Sequence, residues 1–74
     1  MNESVLDFRG LICPLPVLKT RKAMQAMKKG AIVWVETTDP LTVIDIPNFC
    51  RENGHRLIEM AQGEGFLRFR IERG

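Results

Sequence analysis

The chain has 74 residues, 45% of them hydrophobic and 27% charged, with a formal net charge of +2. That length makes one domain, residues 1–74; so short a chain buries only about 60% of its unfolded surface, yet it can fold alone. The composition excludes disorder and low complexity, and so mild a charge lacks the strong basic cluster of a nucleic-acid binder while slightly favouring an acidic protein partner.

Residues 1–8 hold Glu3 and Asp7 and no apolar core of a signal peptide. No apolar run approaches the roughly 18 residues a membrane span needs. These features place the protein in the cytoplasm, away from membranes. Cys13 and Cys50 are too few for a disulfide scaffold, so both are free thiols in a reducing compartment.

In chain order, Val5–Phe8 makes a short strand and Arg9-Gly10 turns the chain. A helical pattern begins at Pro14: Val17, Thr20, Met24 and Met27 share one face, with Lys19, Lys22 and Lys29 pointing away. Lys28, Lys29 and Gly30 read as its C-terminal end. Ala31–Thr37 is a strand rich in β-branched residues, with Trp34 beside Ile32 and Glu36 on its more exposed face. Asp39-Pro40 starts a second helix whose buried face carries Val43, Ile46 and Cys50, with Phe49 next to it. Pro47 either bends that helix or follows a fresh start capped by Asp45, and Asn53-Gly54 ends it. His55–Gln62 is a third strand, Gly63-Glu64-Gly65 a hairpin turn and Phe66–Glu72 a fourth strand. In that last strand Leu67, Phe69 and Ile71 alternate with Arg68, Arg70 and Glu72, giving one buried and one wet face. The order β-α-β-α-β-β packs most economically as an α+β two-layer sandwich, with both helices on one face of a mixed four-stranded sheet.

The chemistry concentrates in RGLICPLPVLKTRKAM, residues 9–24. With Cys13 as N-cap, Pro14 is the first helical residue and Pro16 the third; a helix start has no use for those missing N–H groups, so the prolines stiffen it. The sulfur then stands at the helix tip beside the Leu15 and Val17 N–H groups. A helix N-terminus behaves like roughly half a positive charge and lowers thiol pKa values from about 8.5. Arg9, Lys19, Arg21 and Lys22 add positive charge. The expectation is an accessible Cys13, largely ionised at neutral pH.

Several thiol chemistries do not fit. A thioredoxin-like pair needs a second cysteine at position 16, where Pro16 stands. A cysteine protease needs an oriented base, whereas the single histidine, His55, opens a strand and reads as structural. Two cysteines and one histidine without ligand spacing do not make a zinc site, so neither metal nor cofactor is expected. What remains is a thiol charged by a donor and discharged by an acceptor, with sulfane sulfur held as a persulfide.

LDFRGLICPLPVLKTRKAM resembles the signature of the TusA (SirA-like) sulfur-carrier family: an Asp and a Gly before a Cys-Pro-x-Pro helix start, then an Arg-Lys pair. TDPLTVIDIPNFCRENGHRL is similar to the family's second helix, and the likeness runs from Leu6 to Ile71. The resemblance implies a βαβαββ sandwich in which Cys13 takes sulfur from a cysteine desulfurase or rhodanese-like donor and passes it to a downstream acceptor. The routes served are tRNA thiolation, molybdenum-cofactor-linked supply, sulfur oxidation or thiosulfate use. It also implies that Gly10, Pro14 and Pro16 support the helix start, and that Arg21, Lys22 and Asp39 present docking charge. Two departures concern the partner. Thr38 replaces the first of two acids common before the second-helix proline, and neutral Leu15 replaces a residue that is often acidic, leaving the field at the sulfur more positive.

Cys50, Met24 and Met27 read as core residues. Arg68 and Arg70 could form a nucleic-acid stacking platform with Trp34, but Glu36, Glu59 and Glu72 make their face a mixed, solvated one. A redox-sensing interaction domain using Cys13 is the alternative to the carrier, and a small nucleic-acid-binding domain a further one. A carrier that alternates partners is most simply a monomer, with no direct nucleic-acid contact.

Overall fold

A computed structural model describes residues 3–74. Its centre is the pair of strands β2 (Ile32–Thr37) and β4 (Phe66–Glu72). Val33 and Val35 of β2 stand opposite Ile71 and Phe69 of β4, and all four are buried. Strand β1 (Ser4–Phe8) runs parallel to β2, while β3 (Arg56–Gly63) runs antiparallel to β4. The sheet order is β1-β2-β4-β3. Helix α1 (Leu15–Gln25) is the crossover between the parallel strands, and α2 (Thr42–Asn53) joins β2 to the β3–β4 hairpin. Met24 from α1 and Ile46, Phe49 and Cys50 from α2 bury against the same sheet face. The architecture is the expected two-layer βαβαββ sandwich with a mixed four-stranded sheet.

The helix ends differ from the sequence reading. Helix α1 begins at Leu15, with Pro14 as N-cap, so Cys13 lies outside the helix. It stops at Gln25, short of Lys28-Lys29-Gly30. Tertiary pairing draws those residues away: Gly30 N–H donates to the Arg73 carbonyl, and Arg73 Nε donates to the Met24 carbonyl at 2.8 Å. That guanidinium takes the place of the expected lysine cap on the helix's free carbonyls. Met27 lies beyond the helix yet packs against the core.

Helix α2 begins at Thr42, two residues after Pro40, and runs through Pro47 without a break, so Asp45 does not start a new helix. Its buried face is Thr42, Ile46, Phe49 and Cys50; Val43 is exposed. The phase follows from a polar anchor. Thr42 Oγ1 donates to the Asp39 carbonyl at 2.6 Å and so accepts from Thr37 Oγ1 at 2.7 Å, with both threonines fully buried. At the far end Gly54 takes φ of +72°, and its N–H returns to the Cys50 carbonyl.

Strand β3 starts at Arg56, leaving His55 just outside it. His55 Nδ1 accepts from the Gly74 N–H, and its ring packs on Phe49 at 5.3 Å, a structural role. Gly63 pairs with Phe66, so the hairpin turn narrows to Glu64-Gly65. On the open sheet face Arg68 lies 4.4 Å over Trp34 and pairs with Glu36, while Arg70 pairs with Glu3, which also accepts from Trp34 Nε1. The arginines that a nucleic acid would need are thus engaged by acids of the chain itself.

Replacing Thr42 with valine keeps the shape but leaves the buried Thr37 hydroxyl without its partner. The expected loss is about 1–3 kcal/mol of unfolding free energy, measured by urea denaturation. An unchanged midpoint would mean that the threonine pair does not hold α2 to β2.

Candidate functional site

The reactive end is built where β1 and β2 finish side by side. Asp7 accepts from the N–H and guanidinium of Arg9, whose hydrogen bonds hold its carboxyl down to about 2. Gly10 follows with φ of +87°, a conformation that disfavours any residue with a Cβ. Its N–H donates to Thr38 Oγ1 at 2.8 Å. Thr38 thus ties the cysteine loop to the start of the second crossover. Asp39 completes the tie: Oδ2 accepts from the Cys13 N–H and Oδ1 from the Leu41 N–H.

Cys13 is exposed and Cys50 buried, and both are free. The Cys13–Pro14 peptide bond is cis. Cys13 Sγ donates to Asp45 Oδ2 at 3.0 Å, across the gap between the two helices. This hydrogen bond, then burial and the negative charges of Asp45 and Asp39, push the Cys13 thiol above its ordinary pKa. The expectation of an ionised thiol is therefore corrected. A full carboxylate charge in contact with the sulfur outweighs the roughly half charge of a helix end. The Leu15 N–H, expected at the sulfur, instead donates to the Ile12 carbonyl at 2.9 Å. Arg9 is drawn off to Asp7, so it does not supply the expected field.

Beside the sulfur lies an open groove of about 370 Å³ between α1 and α2. Cys13, Pro14, Leu18 and Arg21 line one side, and Asp45 and Glu52 the other. Pro16 is buried beneath, its carbonyl accepting from Thr20 Oγ1 at 2.7 Å. Lys22 is exposed in the last turn of α1 and does not line the groove. The structure thus brings Cys13, Pro14 and Arg21 together, places Gly10 and Asp39 behind the loop, and leaves Lys22 apart.

The sequence reading missed two things. One is Asp45 as the partner of the thiol. The other is a set of exposed apolar side chains at this end: Ile12 (71% exposed), Leu15, Leu18, Leu41 and Ile44. Leu15 and Leu18, three apart on the helix, carried a periodic signal for an apolar outer face. Among the described residues no group of three or more His, Cys, Asp or Glu could hold a metal, and no helix is long and apolar enough to cross a membrane.

Fold and site together define a small two-layer α+β protein that offers one exposed thiol at the mouth of an open groove. The chain belongs to the TusA family: the family described as "Sulfurtransferase TusA" matches residues 4–73. It is 38% identical over 71 residues to the sulfur carrier protein TusA of Allochromatium vinosum, covering 96% of this chain and 93% of that one. It is 36% identical over 73 residues to YrkI of Bacillus subtilis, with 99% and 97% covered. A crystal structure of a SirA-like protein from Desulfitobacterium hafniense superposes with a TM-score of 0.82 at 22% identity, covering 96% of this chain and 97% of that one, and shares the fold.

The charge around the sulfur has a direct consequence. The rate of Cys13 alkylation by iodoacetamide should rise with pH through a midpoint above the ordinary thiol value, because only the thiolate reacts. Cys50, which burial pushes up to about 11, should stay unmodified in the folded protein. A Cys13 midpoint below the ordinary value would contradict the Asp45 contact.

Proposed function

We propose that this chain is a sulfurtransferase of the carrier type, working as one domain over residues 1–74 in the cytoplasm. Cys13 accepts sulfane sulfur as a persulfide from a cysteine desulfurase or rhodanese-like donor and hands it to an acceptor protein. The observation that carries this reading is the single exposed thiol of Cys13, with no resolving partner, in a chain of the TusA family. The name of the Allochromatium vinosum relative, a sulfur carrier, supports it.

The chemistry follows from the site. The Cys13 thiolate attacks the outer sulfur of the donor persulfide, a new S–S bond forms to Cys13, and the donor's S–S bond breaks to leave its thiol. The sulfur changes owner without net oxidation, so neither metal nor cofactor is required. The thiolate is a minority species beside Asp45, but a thiolate of higher pKa is the stronger nucleophile per anion. An exposed loop and an open groove let two partners approach the same sulfur in turn. Arg21 within the groove and Lys22 outside it offer positive charge for docking, and the apolar side chains around Cys13 give a partner surface to desolvate. The pathway served is one of those named for the family: tRNA thiolation, cofactor synthesis, sulfur oxidation or thiosulfate use.

Incubation with a cysteine desulfurase and cysteine, or with a rhodanese and thiosulfate, should raise the intact mass by one sulfur, reversibly with reductant. The gain should vanish in Cys13→Ser and persist in Cys50→Ala, which should lose about 1 kcal/mol or somewhat more through packing. A gain that survives Cys13→Ser would refute the assignment. Pro14→Ala should slow loading several-fold in protein that circular dichroism shows to be still folded, because the exposed ring stiffens the loop rather than filling the core. Unchanged loading would show that stiffness there is dispensable.

A further inference from the structure

The contact between Cys13 and Asp45 has a chemical asymmetry. A thiol carries one proton to donate, whereas a carboxylate only accepts. Cys13 Sγ uses that proton on Asp45 Oδ2 at 3.0 Å. In a persulfide the same sulfur is bonded to carbon and to a second sulfur and has no proton. The lone pairs of Sγ then face those of a carboxylate with nothing between them. The outer sulfur, which ionises more readily than a thiol, adds a negative charge next to two acids.

We propose that Asp45 is a positioning residue that distinguishes the empty carrier from the loaded one: its carboxylate holds Cys13 inward as a neutral, hydrogen-bonded thiol, and its hold lapses when Cys13 takes on sulfur. The proposal rests on the carrier reading above and adds to it the residue that tells the two states apart. The charges facing the sulfur agree. From α2 come Asp45 and, farther along the groove, Glu52; from the loop before α2 comes Asp39, already occupied by the Cys13 N–H; from α1 comes Arg21. Asp45 and Asp39 stand at the root of the side chain, while Glu52 and Arg21 line the groove beyond it. A loaded sulfur is therefore repelled from its resting place toward solvent, where an acceptor can reach it. The empty thiol remains protonated and slow toward stray electrophiles.

The loading step balances. Cys13–SH and a donor R–S–SH give Cys13–S–SH and R–SH: one S–S bond forms, one breaks, and the Cys13 proton ends on the departing donor sulfur. Asp45 is not consumed and takes no net proton.

The test compares the wild type with Asp45→Asn and Asp45→Glu, empty and after loading with glutathione persulfide. Iodoacetamide alkylation at pH 7 is followed by intact mass, which separates the two species by one sulfur. Thermal unfolding checks each variant's fold. In Asp45→Asn the empty thiol should react several-fold faster, because the gain in thiolate outweighs the lower nucleophilicity of each anion, with its pH midpoint lowered. The loaded form should change little, so the loaded-to-empty rate ratio collapses. Asp45→Glu, which keeps the charge, should retain a slow empty thiol even if Asp45→Asn proves unstable. If the wild type loads but the empty thiol of Asp45→Asn, or that of Asp45→Glu relative to wild type, departs from these outcomes, the role of Asp45 is overturned while the carrier reading stands. If the wild type gains no sulfur, the carrier reading fails and this role fails with it.

Discussion

The cysteine loop is held by the segment between β2 and α2. Thr38 accepts from Gly10, and Asp39 accepts from the Cys13 N–H with one oxygen and the Leu41 N–H with the other. The Asp39 carbonyl receives Thr42, whose hydroxyl is met in the core by Thr37. The buried threonine pair fixes the phase of α2, that phase places Asp45 opposite Cys13, and the Asp39 carboxylate holds the loop where Asp45 can meet the sulfur. Sheet edge, helix start and reactive atom thus form one hydrogen-bonded chain. An exposed loop costs backbone entropy to order, and here hydrogen bonds to Thr38 and Asp39, in the segment that follows β2, offset that cost.

The electrostatics of the sulfur are a contest between a helix end and a carboxylate. The macrodipole is spread over the first turn and amounts to about half a charge. Asp45 brings a whole charge within hydrogen-bonding distance. The nearer and larger charge prevails, and the thiol rises rather than falls. A carrier has reason to tolerate this, since it must keep its thiol intact between partners. Nucleophilicity is supplied by the smaller population of a more basic thiolate.

Much of the fold was legible from period alone. The alternation of Phe66–Glu72 placed Leu67, Phe69 and Ile71 toward the helices, and the structure puts them there. Cys50 read correctly as core because it shares a helical stripe with Ile46. The errors come where a distant partner decides. Lys28-Lys29-Gly30 carries the signal of a helix end, but the pairing of Gly30 and Ala31 with Arg73 removes these residues from α1. Val43 looked like core because valine is apolar, yet Thr42 takes that place through a hydroxyl partner on another element. At the site, the exposure of Cys13 was readable from the Cys-Pro-x-Pro stretch before α1, and the structure leaves that thiol exposed. Asp45 was not readable, because it meets the sulfur from 32 residues away and hydrophobic period carries no record of a cross-element polar contact.

The central claim is that Cys13 is the atom that bears the sulfur, and the most direct measurement locates it within the chain. The loaded protein is alkylated to trap the persulfide, digested with trypsin without reductant, and sequenced by tandem mass spectrometry. Cleavage after Arg9 and Lys19 leaves Cys13 in the peptide of residues 10–19, whereas Cys50 falls in residues 30–51. The account predicts an added sulfur on Cys13 in the first peptide and none on the second. Added sulfur on Cys50, with Cys13 carrying only the alkyl group, would contradict it.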